Sequence, residues 1–600
     1  MNDPQFIIGL DLGTTNSVLA YTRISDLEKS EQPDTHILEI PQLVGPGTVA
    51  PQQMLPSFIY IPGEKDLAPD ALVLPWQDSA QYIAGEFARK RGAEIPHRLI
   101  HSAKSWLCHP AVDREKAILP WAAASEVMKL SPVEASAAIL DHIRRAWNDH
   151  MAREDERFSL EFQDIYLTVP ASFDAVAREL TVKAAEMAKL PNITLLEEPQ
   201  AAFYAWIAAS KGHWRDAVTP GDLVLVCDIG GGTSDFSLIQ VSESAGALEL
   251  ERIAVGSHLL VGGDNMDLAL AYAVAKQMNE KGMRLDSWQM RALWNQCRNA
   301  KEALLQTSDH ESVPVSILGR SSSVIGGTLQ ADLARSVVDQ VILDGFFPYC
   351  PPAARPEAVP RTGIQETGLA YETDPAVTRH LSHFLNRQSA TSPVVPTALL
   401  FNGGVMKASM IRNRVIDVLI SWQEGKPPRQ LESASLDLAV ARGAAYYGLA
   451  RRGRGIRILS GLNQTYYIGV AAALPAVPGM PAPIKALCVA PFGMEEGSET
   501  ELTEREFNLV VGETAKFEFL GSPVRTEDMM GMVIEDWEQE IASITTVETT
   551  LEGQAGTVIP VSIQVRLTEV GTLELWCVSR NSADRWKLEF NIREPKLSDL

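Results

Sequence analysis

Short apolar runs recur along the chain, and two of them end in an aspartate followed by a glycine–threonine turn. Phe6 to Leu10 leads into Asp11-Leu12-Gly13-Thr14-Thr15-Asn16-Ser17, and Leu223 to Val226 leads into Asp228-Ile229-Gly230-Gly231-Gly232-Thr233-Ser234-Asp235. Each turn is followed by another strand-like run, Val18 to Tyr21 and Phe236 to Val241. The pattern therefore predicts two strand–turn–strand units. Further strands are predicted at Asp164–Val169, stopped by Pro170, at Ile193–Leu196, and at Ala398–Asn402.

Helical spacing fills the intervals. Ser131-Pro132-Val133-Glu134 has the serine, proline and glutamate of a helix start, with an Ala-rich run to about Met151. Asp174 can cap a helix that carries Ala177, Leu180, Ala184 and Met187 on one face. Other helices are predicted at Gln200–Ala209, Leu268 to about Lys281, Ser287–Leu305, Met406–Ile420 and Leu436–Ala445. Gly403-Gly404 is read as the glycine pair that opens a helix, where a phosphate or nucleoside can approach closely.

One run of mixed strands and helices separates the two hairpins, and a similar run follows the second. The fold class is α/β, read as two related lobes around a cleft with one hairpin from each. Phe346 to Asp374 is rich in Pro and Gly and reads as an irregular insertion. After Arg451-Arg452-Gly453-Arg454-Gly455 the character changes. Val561, Ile563, Val565 and Leu567 alternate with polar residues, as do Leu573, Leu575 and Cys577, then Trp586, Leu588, Phe590 and Ile592. The expected domains are 1–452 (α/β, with the insertion near 346–374), a linker at 453–460, and a β-rich domain over 461–600.

Composition narrows the function classes. The 600 residues are 46% apolar and 22% charged, as in an ordinary soluble globular protein. The net charge of −23 argues against nonspecific binding to nucleic acid or anionic membranes. Six cysteines lack CxxC spacing, which suits reduced thiols in the cytoplasm better than a disulfide framework or zinc site. No apolar stretch is long enough for a membrane span, so none is expected, and the short run before the first strand leads to the expectation of no signal peptide.

The turns carry the chemistry. Glycines let backbone N–H groups converge on an anion, and an aspartate at a strand end suits a hydrated Mg²⁺. Walker and Rossmann loops open a helix, so they are excluded. Lys104 reads on its own segment as a solvated surface charge. Glu198, at a strand–helix junction, is either a cleft carboxylate or a charge complementing the helix dipole.

Taken in order, Ile8 to Ser17, Thr168 to Phe173, Glu198-Pro199-Gln200-Ala201-Ala202, Asp228 to Asp235, Gly262-Gly263 and Asn402-Gly403-Gly404 resemble the motifs of the seventy-kilodalton heat-shock (DnaK-like) chaperones. These belong to the actin-like ATPase superfamily, and the resemblance covers roughly residues 5–450. It implies an actin-like duplicated two-lobe ATPase domain followed by a C-terminal β-sandwich. It implies ATP/ADP and Mg²⁺ as cofactors, with Asp11 and Asp228 holding the metal through water. Gly13, Thr14, Thr15 and Asn16, with Gly230, Gly231, Gly232 and Thr233, would contact phosphates. Gly262, Gly263, Lys301, Gly403, Gly404 and Asp437 would contact the rest of the nucleotide. Lys104, Glu198, Thr233 and Asp228 would carry slow hydrolysis, and Pro170 and Arg178 would couple it to the linker.

The implied function is an ATP-dependent chaperone acting on unfolded polypeptide clients, with co-chaperones. The chain departs from the family at Lys104-Ser105-Trp106-Leu107-Cys108-His109, and at Arg298 and Leu305, where the family has glutamate and serine. The linker is basic and glycine-containing, and a helical lid is not expected. Val570-Gly571-Thr572-Leu573-Glu574-Leu575 resembles the last hairpin of the family's peptide-binding domain. The alternatives are a nucleotide-switched interaction protein without hydrolysis, favoured by those departures, and a small-molecule kinase. The β-rich C-terminal part and the lack of a substrate-carboxylate motif argue against the kinase.

Overall fold

The computed structural model describes residues 3–588, apart from 29–32, 65, 110–111, 122, 245–246, 307–309, 320–327, 358–367, 370, 389–393, 423–426, 434, 453–457, 460–461, 463, 473–482, 495–497, 552, 569–572 and 583. It divides into two compact units. The first comprises Met1–His109, Glu115–Ser172 and Lys183–Arg457, and the second Pro110–Arg114, Phe173–Val182 and Ile458–Leu600. Two short stretches from the first 452 residues thus belong to the second unit.

In the first unit, Phe6–Leu12 (β1) and Asn16–Arg23 (β2) form an antiparallel hairpin. Asp164–Val169 (β3) runs parallel to β1, and Ile193–Glu197 (β4) parallel to β3. A second sheet repeats this order. Leu223–Ile229 (β5) and Ser234–Ser244 (β6) form the hairpin, and Ala247–Val255 (β7) extends it. Ala398–Asn402 (β8) lies parallel to β5, with Arg429–Leu431 (β9) parallel to β8. The central strands are apolar on both faces because helices cover both sides, which is why β5 and β8 read as unbroken apolar runs.

Helices close these faces. Pro132–Met151 (α1) starts with the expected capping box, Ser131 Oγ accepting from Glu134 N–H at 3.0 Å. Glu198–Ala209 (α2) follows β4 directly. Gly263–Glu280 (α3) and Ser287–Gln306 (α4) pack on the second sheet, where Leu238, Leu270, Val274, Leu293 and Phe401 share one core. Ala439–Arg451 (α6, following Ser409–Ser421, α5) is a packing helix made of small residues. A Cβ on Gly443 would lie 1.7 Å from the Ala201 carbonyl oxygen of α2, and one on Gly9 of β1 would lie 2.1 Å from the Ala441 carbonyl oxygen. Backbone meets backbone there, and no larger side chain fits.

Three helix boundaries differ from the sequence reading. α3 begins at Gly263, not Leu268, because Gly262 and Asn265 form a cap. Gly404–Lys407 is a single 3-10 turn, and α5 starts only at Ser409. α6 starts at Ala439 rather than Leu436. The stretch 348–374 carries no helix or strand among its described residues.

The second unit is β-rich. One sheet runs in the order Val533–Ile534, Ile484–Ala490, Thr465–Ala471, Thr514–Ser522, Ala542–Thr550, and the other Glu499–Val511, Thr557–Leu567, Leu573–Ser579, Arg585–Leu588. Tyr466, Leu487 and Phe519 from the first sheet and Val511, Ile563 and Val565 from the second share one core, against which Ala175 packs. The predicted alternation holds for Val561, Ile563, Val565 and Leu567. Phe590, Ile592 and the turn at Val570–Thr572 lie outside the described residues, as do most of the predicted linker positions.

Candidate functional site

The parallel registers decide where the two aspartates find support. Asp11 is paired with Thr168, and Asp228 with Asn402. Thr168 Oγ1 donates to Asp11 Oδ1 at 3.0 Å, and Asn402 Nδ2 donates to Asp228 Oδ2 at 2.7 Å. Each hairpin aspartate is thus held by the strand beside it, at equivalent positions of the two sheets. Hydrogen bonds to a charged acceptor contribute about 1.5–3 kcal/mol each.

The turns meet. A Cβ on Gly231 would lie 2.1 Å from Thr15 Oγ1, and one on Gly232 would lie 2.8 Å from Thr14 Cγ2. Ser57 braces the first turn by donating to the Gly13 carbonyl at 2.7 Å. In the second turn, Gly230 N–H bonds the Thr233 carbonyl at 2.9 Å. The start of α3 supports it from behind, with Gly263 N–H and Asp264 N–H donating to the carbonyls of Gly230 and Gly231 at 3.1 and 2.7 Å. Two N–H groups of that helix end are therefore already committed to protein carbonyls. Gly262 is a packing glycine under the same turn, since its Cβ would lie 2.7 Å from both carbonyl oxygens.

Between the turns lies a cavity of about 550 Å³. Asp11, Gly13, Thr14, Thr15 and Asn16 line it from the first hairpin, and Asp228, Gly230, Gly231 and Thr233 from the second. Lys104, Pro170 and Glu198 line it from the first sheet's side, and Gly263, Lys301, Gly403, Gly404 and Asp437 complete it. Gly232 and Gly262 are not on its wall, and Arg178 belongs to the second unit. Most of the predicted site residues are therefore gathered in one place.

Lys104 is no solvated charge: it is 5% exposed and paired with Glu198. Burial works against its ammonium, but Glu198 and Asp11 outweigh burial and leave its pKa above the ordinary value. Burial is also the main force on the two aspartates. It pushes both carboxyls well above their usual range, against Lys104 at Asp11 and with Glu198 adding to it at Asp228. A pair of buried carboxylates disfavoured as anions is a donor set that a divalent cation suits. Among the described residues, no group of three or more His, Cys, Asp and Glu is gathered as a direct metal cage requires. Two strand-end carboxylates suit a cation that binds through few protein ligands and keeps most of its water, as Mg²⁺ does.

At the far end, Arg298 of α4 lies between two carboxylates of α3. Its Nε is 2.8 Å from Asp267 Oδ2, and its Nη2 pairs with Asp264. Lys301, one turn on, reaches Asp267 Oδ1 at 2.7 Å. Burial disfavours the Arg298 charge, and the two aspartates more than offset that. The departure noted in the sequence is thus compensated inside the protein. The signal was available: Asp264 and Asp267 stand three apart, on one face of α3. Sequence reasoning also passed over Ser57, and over a cluster behind the second turn. There Ser172 Oγ donates to Asp235 Oδ1 at 2.5 Å and contacts His258 Nδ1 at 2.9 Å.

Two glycine turns thus face each other across a cavity, with buried carboxylates and a buried lysine on its wall, on a mixed α/β unit. A family model described as Hsp70 protein matches residues 80–347. The "Chaperone protein HscA homolog" of Actinobacillus pleuropneumoniae serotype 5b (strain L20) is 29% identical over 307 residues, 51% of this chain and 43% of that protein. "Chaperone protein HscA" of Salmonella paratyphi C (strain RKS4594) is 27% identical over 410 residues, 67% of this chain and 58% of that protein. A homolog of the same name in Cupriavidus necator is 27% identical over 352 residues, 57% of this chain and 48% of that protein. The chain is similar to Hsp70-type proteins over these stretches. It spans about half the length of the curated relatives it matches. No helix among the described residues is long and apolar enough to cross a membrane.

Proposed function

We propose that this protein is an ATP-hydrolysing chaperone of the Hsp70 type, built as an actin-like duplicated two-lobe ATPase domain followed by a β-sandwich. The observation that carries the reading is the meeting of the two turns, Gly231 against Thr15 and Gly232 against Thr14, at a cavity whose wall also holds the Lys104–Glu198 pair. Gly13 to Asn16, with Gly230, Gly231 and Thr233, form the phosphate end, where backbone N–H groups of the turns and threonine hydroxyls supply the donors. Asp11 and Asp228 hold a hydrated Mg²⁺, which when bound neutralises phosphate charge. Glu198 fixes the Lys104 ammonium beside the phosphate end, where Lys104 orients the attacking water. Gly263, Lys301, Gly403, Gly404 and Asp437 form the nucleoside end. Pro170 and Arg178 couple the site to the linker and to a β-sandwich that binds unfolded polypeptide in the cytoplasm, with co-chaperones.

Single-turnover ATP hydrolysis tests this, comparing the full chain with Lys104→Ala and Thr233→Ala. The expected result is a slow wild-type rate and loss of at least about 100-fold in Lys104→Ala. A wild type no faster than the variants, all still binding ATP, rejects hydrolysis. That outcome supports the second reading, a nucleotide-switched interaction protein. The neutralisation of Lys104 by Glu198 is the observation that favours it.

A further inference from the structure

A second buried ion pair lies next to the Lys104–Glu198 pair along the chain and joins the two sheets of the first unit. Arg252 of β7 pairs with Glu197, the last residue of β4, and their side chains are 1% and 8% exposed. The sequence offers no hint of it, because a regular strand would point Arg252 elsewhere. Residues two apart share a face of a strand, so Arg252 and Ala254 should point the same way. The register between β6 and β7 slips at this point: Leu238 pairs with Ala254 but Ile239 with Arg252, leaving Ile253 as an extra residue. Ile253 and Ala254 both pack on the core of the second sheet. The bulge thereby releases Arg252 to the opposite face, toward Glu197.

Glu197 is the pivot of the catalytic side. It precedes Glu198 and is the N-cap residue of α2, yet its carboxylate caps no N–H of that helix. Pro199, at the second helical position, has no N–H to offer. In register, Glu197 stands beside Val169, the residue before Pro170. The Arg252 contact therefore fixes the residue from which Glu198 and its partner Lys104 are oriented, and it does so from the opposite sheet.

We infer that Arg252 is a positioning residue for hydrolysis. Through Glu197 it holds Glu198 and Lys104 in their working geometry only when the two sheets keep their present relation. The inference rests on the proposed ATPase function. The test uses the full chain as Arg252→Gln, Arg252→Lys and the double variant Arg252→Gln/Glu197→Gln, with Lys104→Ala as reference. Single-turnover hydrolysis, the Kd for Mg·ATP and the thermal midpoint are read for each. The double variant leaves no orphaned buried charge, so it is measurable even if Arg252→Gln alone unfolds. The expected result is a loss of about tenfold or more in the hydrolysis rate of the double variant, with Kd changed less than about threefold, and partial recovery in Arg252→Lys. A folded double variant that hydrolyses at the wild-type rate, while Lys104→Ala does not, overturns the inference and leaves the ATPase reading standing. A wild type no faster than Lys104→Ala overturns both.

Discussion

Gly231 and Thr15 lie so close that a Cβ on Gly231 would sit 2.1 Å from the threonine Oγ1. The two turns are therefore fitted to each other across the cavity, and the space between them is set by the lack of a side chain. Gly231→Ala is expected to force the hairpins apart and weaken ATP binding about tenfold or more, at a stability cost of about 1–3 kcal/mol. Titration calorimetry with Mg·ATP, beside a thermal melt, checks this. Gly221→Ala, which meets nothing within 4 Å but has φ +91°, is the control for glycine loss remote from the cavity.

Gly403 is a sharper case, since two constraints coincide. Its φ is +86°, and a Cβ would lie 2.3 Å from the Ile229 carbonyl oxygen. Gly403→Ala is expected to cost about 1–3 kcal/mol from the backbone conformation alone, with the clash added to it. A fall of several degrees in the thermal midpoint, together with weaker nucleotide binding, is the expected readout.

The Arg298 cluster gives a prediction opposite in sign to intuition about a departing residue. If Arg298 were merely tolerated, replacing it would be harmless. It instead balances Asp264 and shares Asp267 with Lys301, so Arg298→Met is expected to destabilise by about 3–5 kcal/mol, chiefly by stranding the Asp264 carboxylate. Adding Asp264→Asn should recover part of that loss. Denaturant unfolding of the single and double variants measures both.

His142 makes stability depend on pH away from the cavity. Burial lowers its pKa to about 4, its Nε2 lying 3.0 Å from the Pro41 carbonyl oxygen. Between pH 6.5 and 4 the unfolded chain takes up a proton there that the folded chain does not. Stability is therefore full above pH 6.5 and falls as the solution is acidified toward pH 4. The loss between pH 7 and pH 5 comes to about 2 kcal/mol. His142→Gln should flatten that slope in denaturant unfolding at the two pH values.

Much of this could be read from residue order alone. Both hairpins, their aspartates and the strands at Asp164 and Ala398 follow from apolar runs punctuated by glycine and proline, which are local signals. Glu198 and Lys104 lie 94 positions apart, so only the family resemblance could pair them. The start of α3 is hidden in the sequence because Gly262 and Gly263 look like loop residues, whereas they fit beneath the second turn. Gly403-Gly404 has the look of a helix start but opens only a single 3-10 turn. Its positive φ serves a close backbone approach, and the helix waits until Ser409. Arg252 could not be found because its direction depends on one extra residue in a strand, Ile253, which no periodicity reveals.

The metal-holding role of Asp11 and Asp228 is tested most directly by ATP titration of the full chain by calorimetry, with Mg²⁺ and with EDTA, in wild type and in Asp11→Asn/Asp228→Asn. The expected result is binding in wild type that weakens at least about tenfold without Mg²⁺, and a double variant whose ATP affinity no longer responds to Mg²⁺. Equal wild-type affinity with and without Mg²⁺, or a double variant that keeps the full response, would contradict the assignment of these two carboxylates and the cavity between them.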